Sequence, residues 1–104
     1  MIVRLVRMTF LEEGTARFQE LFEGWRHRII ASPGCLHLEL LHDVSDPQVF
    51  FTYSVWRSAE DLERYRRSDV FAQVWPTVKA MFAAPAQAWS CHRPHSMDAL
   101  PSTP

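Results

Sequence analysis

The chain has 104 residues, 47% of them hydrophobic and 22% charged, which is enough for one domain with a modest core. A formal net charge of −1 offers no basic field for phosphates, and no run of about 18 apolar residues could cross a membrane. We therefore predict no nucleic-acid partner and no membrane span. With two cysteines and no signal-peptide pattern, we expect a cytoplasmic location.

The first half of the chain predicts a strand, a helix and a second strand. Residues 2–10, IVRLVRMTF, are mostly apolar and β-branched, as in a strand. From about Glu12 the apolar side chains recur at helical spacing, until Ser32-Pro33-Gly34 ends the helix. Residues 36–44 are predicted to form the second strand.

A third strand and a short helix follow. Residues 49–56, VFFTYSVW, are predicted to pair with the second strand as a hairpin because the link between them is short. Ser58 and Asp61 fit a capping box at the start of a helix over 59–67.

The sequence of the C-terminal third predicts one more helix and one more strand. Ser68 resembles a fresh N-cap, and Pro76 should kink or restart the helix that follows. Ala84-Pro85 is expected to end that helix, and residues 87–92 are expected to form the fourth strand. Residues 93–104 contain three prolines and little apolar mass, which favours a flexible C-terminal tail or an arm that contacts a partner.

This order of elements predicts an α+β fold of the ferredoxin-like split βαβ type (βαββαβ), with a four-stranded antiparallel sheet formed by residues 1–92. Helices would cover one face of the sheet. The other face would also carry large apolar side chains, because Phe51 and Tyr53 alternate with Phe50 and Trp56 along the third strand. Such a face needs a cover, so we predict a homodimer packed sheet to sheet.

Four segments of the chain resemble the antibiotic biosynthesis monooxygenase family of dimeric α/β barrels: IVRLVRMTF, SPGC, FFTYSVWRSAEDLERY and RSDVFAQVWPTVKAMF. The resemblance spans about residues 1–92 and implies a small-molecule cavity between sheet and helices in each subunit. Some members of this family oxidise hydroquinones or phenolic polyketides with O2 and no prosthetic group. Others cleave haem, isomerise small sugar-derived molecules or have no known activity, so the fold does not decide the function.

The polyketide-oxidising members use an asparagine and a tryptophan of the third strand and a tyrosine just beyond it. In this chain the matching positions are Thr52, Trp56 and Leu62. The resemblance implies that the indole N–H of Trp56 could hold a substrate oxyanion, with Thr52 as a second donor. Alternatively, Trp56 is an aromatic plug at the corner between strand and helix.

The haem-degrading members use an asparagine, a tryptophan and a histidine that ligates iron. This chain has no asparagine, and Tyr65 and Trp75 stand near the other two positions. An indole has no lone pair for iron, so haem degradation is disfavoured. No H-x-x-x-H or C-x-x-C motif is present, and we predict no metal and no cofactor, with O2 as co-substrate if the protein is catalytic.

Two further sets of polar residues are candidates for the site. His37 and Glu39 share one face of the second strand and would form a general-base pair if that face points into the cavity. Otherwise they form a solvated rim or a dimer contact. Arg4 and Arg7 lie on opposite faces of the first strand, and the buried one would clamp an anionic substrate or pair with a carboxylate.

The sequence thus predicts cofactor-independent oxygenation of a small phenolic or quinol-type aromatic molecule. The candidate catalytic residues are Trp56, Thr52 and His37, and the candidate substrate-binding residues are Arg4, Tyr65, Phe71 and Trp75. The alternative is a dimer that binds a small molecule without catalysis or acts in a stress response.

Overall fold

The computed structural model describes residues 1–101, and its elements follow the predicted order. They are β1 (Ile2–Phe10), a 3-10 turn (Glu12–Gly14), α1 (Thr15–Ile30), β2 (Cys35–His42), β3 (Val49–Trp56), α2 (Ala59–Arg66), α3 (Asp69–Lys79) and β4 (Phe82–His92). The strands form one antiparallel sheet in the order β2-β3-β1-β4. This confirms the α+β ferredoxin-like arrangement. Within the described residues, no helix is long and apolar enough to span a membrane.

One face of the sheet is covered by the helices and holds the core. Phe10 is fully buried at its centre, stacked on Phe18 of α1 at 4.2 Å between ring centroids and edge-on to Phe50 at 5.7 Å. Other core residues come from the same face of the sheet and from the helices above it: Met8, Phe22, Trp25, Ile29, Val74 and Val78. This aromatic packing holds α1 against the two central strands.

The opposite face of the sheet, which we call the open face, mixes apolar and polar side chains. Leu5 of β1 pairs in register with Tyr53 of β3 and with Trp89 of β4, and Trp89 is 46% exposed. Near them, Arg7 donates a hydrogen bond to Gln87 at 3.1 Å. Apolar side chains on this face are therefore partly exposed in the single chain.

The last helix differs from the prediction, because α3 runs through Pro76 without interruption and ends at Lys79 rather than at Ala84-Pro85. Pro76 is exposed, and its carbonyl still accepts a hydrogen bond from Ala80 at 3.1 Å. The lost helical N–H leaves only the carbonyl of Ala72 without its usual donor, and Ala72 is also exposed to water.

The last strand also begins earlier than predicted. Phe82 pairs with Phe10 in the sheet and packs on the Phe10 ring at 5.4 Å, so burial draws it into β4. Pro85 is tolerated within β4 because this is an edge strand, where the ladder on one side is open. The register between β1 and β4 shifts just there, between Arg7 and Thr9.

Beyond β4, residues 93–101 form no helix or strand. Arg93 donates a hydrogen bond to the hydroxyl of Tyr53 at 3.0 Å on the open face. A tail or partner-contacting arm over 93–104 stays a prediction, and its last residues, 102–104, lie outside the described part of the chain.

A turn before β2 is locked to the start of α2. Gly34 has φ +81°, and a Cβ placed on it would lie 2.3 Å from the Asp61 side chain. Asp61 is 5% exposed and accepts hydrogen bonds from Ser58 at 2.9 Å, Arg57 at 3.2 Å and Arg64 at 2.8 Å. The Ser58 hydroxyl in turn accepts from the Asp61 N–H at 3.1 Å, which confirms the predicted cap. The hydrogen bonds from Ser58 and Arg57 lower the pKa of Asp61.

We predict that Gly34→Ala destabilises the fold by about 1 kcal/mol or more, because the backbone is left-handed there and the new methyl group displaces Asp61. Gly24→Ala is the matched control. Its Cβ would meet nothing within 4 Å on α1, so it should be neutral or stabilise by up to about 1 kcal/mol. Urea unfolding of both variants tests this, and equal stabilities would contradict it.

We further predict an acid-dependent effect of Asp61→Asn. The ionised carboxylate stabilises the fold above its ordinary pKa of 3.8, and this contribution is lost as the pH falls through the lowered pKa of the folded state. The variant should therefore be less stable than wild type at neutral pH, with a gap that narrows below about pH 4. Unfolding across a pH series measures it, with the exposed Asp98→Asn as control. A gap that does not change with pH would refute it.

Candidate active site

A cavity of about 370 Å³ lies between the helix-covered face of the sheet and the helices. All four strands supply its floor and all three helices supply its roof. Its lining is mainly apolar and aromatic, and this volume is at the small end of the range for small-molecule sites. A molecule of one or two fused rings matches it in size and character.

A continuous row of aromatic rings forms one wall of the cavity. Trp56 stacks on Tyr65 at 5.0 Å, Tyr65 meets Phe71 edge-on at 5.3 Å, and Phe71 stacks on Trp75 at 5.8 Å. The row crosses from α2 to α3 at Ser68, whose hydroxyl caps α3 by accepting from the Phe71 N–H at 3.2 Å. All four rings line the cavity, as the sequence predicted.

The indole N–H of Trp56 is already used within the protein. It donates to the Ser54 hydroxyl at 3.0 Å, and Trp56 is only 1% exposed. In this geometry the group predicted to hold a substrate oxyanion directly is therefore occupied. The Ser54 hydroxyl keeps its own proton for donation into the cavity, and accepting from Trp56 makes it a stronger donor.

Three hydroxyls line the cavity: those of Thr52, Ser54 and Tyr65. Within residues 1–101, those of Thr52 and Tyr65 make no hydrogen bond to a protein atom. Burial, helped by the neighbouring Cys35, raises the pKa of Tyr65 to about 12. Tyr65 therefore stays a neutral donor at physiological pH and is not a base.

Ser54 was missed by sequence reasoning, although the signal was present. In a strand, residues two apart share a face, so the run Thr52-x-Ser54-x-Trp56 places all three toward the helices. Leu62, which takes the place of the tyrosine in the family pattern, also lines the cavity. Tyr65 supplies a phenol hydroxyl one turn later on the same helix.

Of the two arginines on β1, Arg4 faces the cavity and Arg7 lies on the open face. Arg4 is half-buried and donates to the Ser90 hydroxyl of β4 at 3.0 Å. Burial, and then the charge of Arg66, lower the pKa of Arg4. Arg66, in the last turn of α2, also lines the cavity and was not among the predicted site residues.

His37 does not reach the cavity. Its neighbour Leu38 lines the cavity, so alternation along β2 turns His37 to the open face. There its ring is edge-on to Tyr53 at 5.9 Å and its Nε2 pairs with the Glu39 carboxylate. The general-base role required a cavity location and is therefore not carried forward, while the rim or dimer-contact alternative stays open.

Among residues 1–101, no aspartate, glutamate or histidine lines the cavity. Across residues 1–101, no three His, Cys, Asp or Glu side chains are grouped as metal ligands. Cys35 and Cys91 are both free and lie on strands at opposite edges of the sheet. The polar groups of the cavity are thus neutral hydroxyls and two guanidinium groups.

Comparison with known proteins agrees with this fold. No curated protein matches the chain. Among solved structures, a Nitrosomonas europaea protein assigned to the antibiotic biosynthesis monooxygenases has a TM-score of 0.84 at 20% identity, over 91% of this chain and 100% of that one. SnoaB, a cofactor-independent oxygenase from Streptomyces nogalater, has a TM-score of 0.83 at 14% identity, over 94% and 97% of the two chains. At such identities the likeness shows the fold alone.

The family assignment rests on a separate comparison. The model of the family described as antibiotic biosynthesis monooxygenase matches residues 1–75, which is more than half of the chain. The matched part includes β1 to α2, most of α3 and every predicted site residue. The chain belongs to the antibiotic biosynthesis monooxygenase family.

Proposed function

We propose that this protein oxygenates a small phenolic or quinol-type aromatic molecule with O2 and without a prosthetic group. The observation that carries the proposal is the row of aromatic rings beside three donor hydroxyls in one apolar cavity. An aromatic substrate would stack along the rings. Its oxygen would then lie near the hydroxyls of Thr52, Ser54 and Tyr65, with Trp56 acting through Ser54.

In a reaction without a prosthetic group, the substrate itself must supply the electrons that reduce O2. O2 accepts one electron at a time, so the substrate must be electron-rich, as a phenolate is. With a naphthol, C10H8O + O2 gives the naphthoquinone C10H6O2 + H2O: one C–H becomes C=O, the phenol loses its proton, and the second oxygen atom leaves as water. All four electrons come from the substrate. The protein supplies an apolar cavity and donors that stabilise the anion.

Deprotonation of the substrate is then not the task of a carboxylate or imidazole side chain, since none in the described part of the chain lines the cavity. The phenol loses its proton to water, and neutral hydroxyls with the nearby Arg4 charge favour the anion. Turnover should therefore rise with pH through the pKa of the bound phenol. Two substrates of different acidity should show correspondingly different inflections.

A binding protein without catalysis is the second candidate. Thr52 and Leu62 favour it, because they differ from the residues that the oxidising members use at two of the three positions. The occupied N–H of Trp56, the third position, favours it as well. It predicts that an aromatic ligand raises the melting temperature without forming a product. An oxidised product in the same sample excludes it.

The open face supports our proposal of a homodimer packed sheet to sheet, which would complete the α/β barrel. Leu41 and Trp89 are 41% and 46% exposed there, and apolar surface of this kind is stabilised by a partner. We also keep the cytoplasm as the proposed location, supported by the two free cysteines.

The oxygenase proposal predicts that Tyr65→Phe and Thr52→Val each lower kcat/KM for a naphthol by about tenfold or more, because each removes one donor to the oxyanion. Tyr53→Phe is the matched control, since it removes a phenol hydroxyl from the open face. An oxygen electrode gives the rates, and ¹⁸O2 labelling should place one oxygen atom in the quinone and one in water. An equal decrease of kcat/KM in the Tyr53→Phe and Tyr65→Phe variants would refute the role of Tyr65 as a donor to the substrate.

The dimer proposal predicts that Trp89→Glu, alone or with Leu41→Glu, shifts the protein from dimer to monomer, because it places charge in an apolar interface. Ile30→Glu, an equally drastic change at a 40% exposed position of α1, should leave the dimer intact. Light scattering after gel filtration measures the mass. A wild-type monomer would disprove the proposal.

A further inference from the structure

The charge of the cavity is unbalanced. Two guanidinium groups, those of Arg4 and Arg66, line it together with apolar and hydroxyl side chains, and no carboxylate of residues 1–101 does. Arg4 lies on β1 in the sheet, and Arg66 lies in the last turn of α2 on the helical side of the cavity. A half-buried cation beside a second cation in apolar surroundings is unfavourable unless an anion joins them.

The partners of these two arginines do not supply that anion. Arg4 bonds only the neutral hydroxyl of Ser90 within the described residues. Arg66 lies 3.5 Å from Glu63, a pair in which both side chains are about half exposed and which contributes little. The five arginines outside the cavity that approach carboxylates do so within their own helix or cap: Arg17, Arg26, Arg57, Arg64 and Arg67.

The position of Arg4 in the sheet also brings its charge to the same face as the donor hydroxyls. Arg4 pairs in register with Ser54 across β1 and β3, and its neighbour Val6 pairs with Thr52. Residues paired in this way have Cβ atoms about 5 Å apart on one face. The charge of Arg4 and the hydroxyls of Ser54 and Thr52 therefore lie on the same face of the sheet and line the same cavity.

We infer that the ligand of this cavity is an aromatic molecule that carries a carboxylate as well as its phenolic hydroxyl, with the carboxylate between Arg4 and Arg66. The inference rests on the proposed function, since it names the substrate class of the same site. A planar carboxylate matches the fork of a guanidinium group, whereas a phosphate monoester brings up to two charges and a larger desolvation cost into a mostly apolar cavity.

The test compares three ligands of one ring size by quenching of tryptophan fluorescence: 1-hydroxy-2-naphthoate, its neutral amide, and 1-naphthol. The acid should bind at least about tenfold more tightly than the amide, because a charged pair replaces a neutral hydrogen bond. Arg4→Gln and Arg66→Gln should each reduce that preference. Arg67→Gln, which removes the same charge from the adjacent exposed position, should retain it.

The outcomes separate this inference from the proposed function. If acid, amide and naphthol bind equally well, the carboxylate assignment is wrong while the aromatic site stands. If none of the three binds, both fail. A fourth ligand, 1-naphthyl phosphate, is measured in the same way. If it binds more tightly than the acid, the assignment of a carboxylate is wrong and the cavity binds a phosphate instead. Circular dichroism checks the fold, and should Arg4→Gln not fold, Arg66→Gln at its half-exposed position still decides the question.

Discussion

Pairing between β1 and β3 in a single register decides which side chains this protein offers to a ligand. Because strand side chains alternate, the register sends Thr52, Ser54 and Trp56 of β3 toward the helices with Arg4 of β1, and sends Tyr53 to the open face. A slip of one residue in β3 would exchange the two sets. The fully buried Phe50, held between Phe10 and Phe18, opposes that slip, since its ring would move from the core to the open face.

The roof of the cavity depends on two serine caps and one buried carboxylate. Ser58 begins α2 and Ser68 begins α3, so the chain changes direction between Tyr65 and Phe71 while their rings stay in contact. Asp61 ties the start of α2 to the turn at Gly34, which leads into β2. The wall of the cavity and the edge of the sheet are thus held by one small polar cluster.

The cavity combines donors and positive charge without a base. The hydroxyls and the guanidinium groups all favour an anion, and none of them removes a proton at neutral pH. A site of this composition suits a substrate that is acidic by itself. The interplay of Trp56 and Ser54 fits the same scheme, because a hydroxyl that accepts from an indole is a better donor to an oxyanion.

Much of this architecture was accessible from the sequence. Apolar periodicity located the strands and helices, the two caps were recognisable from Ser58 and Ser68, and the aromatic row was placed correctly on the covered face. These features are local, since they depend on residues a few positions apart. The prediction that Pro76 would kink or restart the helix was wrong. A proline at an exposed position leaves one backbone carbonyl without its helical donor, and water can take the place of that donor.

Only the tertiary structure decided which face of the sheet each strand side chain points to, and which distant residues it contacts. Alternation along β2 separates His37 from Leu38 but does not say which of them faces the helices, and the early start of β4 at Phe82 depends on packing against Phe10. The hydrogen bond from Trp56 to Ser54, and the approach of Arg66 to Arg4, depend on side-chain geometry and on how α2 lies over β1. The sequence by itself determined the elements and the family, because those follow from local patterns. The content of the cavity depends on contacts between residues far apart in the chain, and no local pattern specifies them.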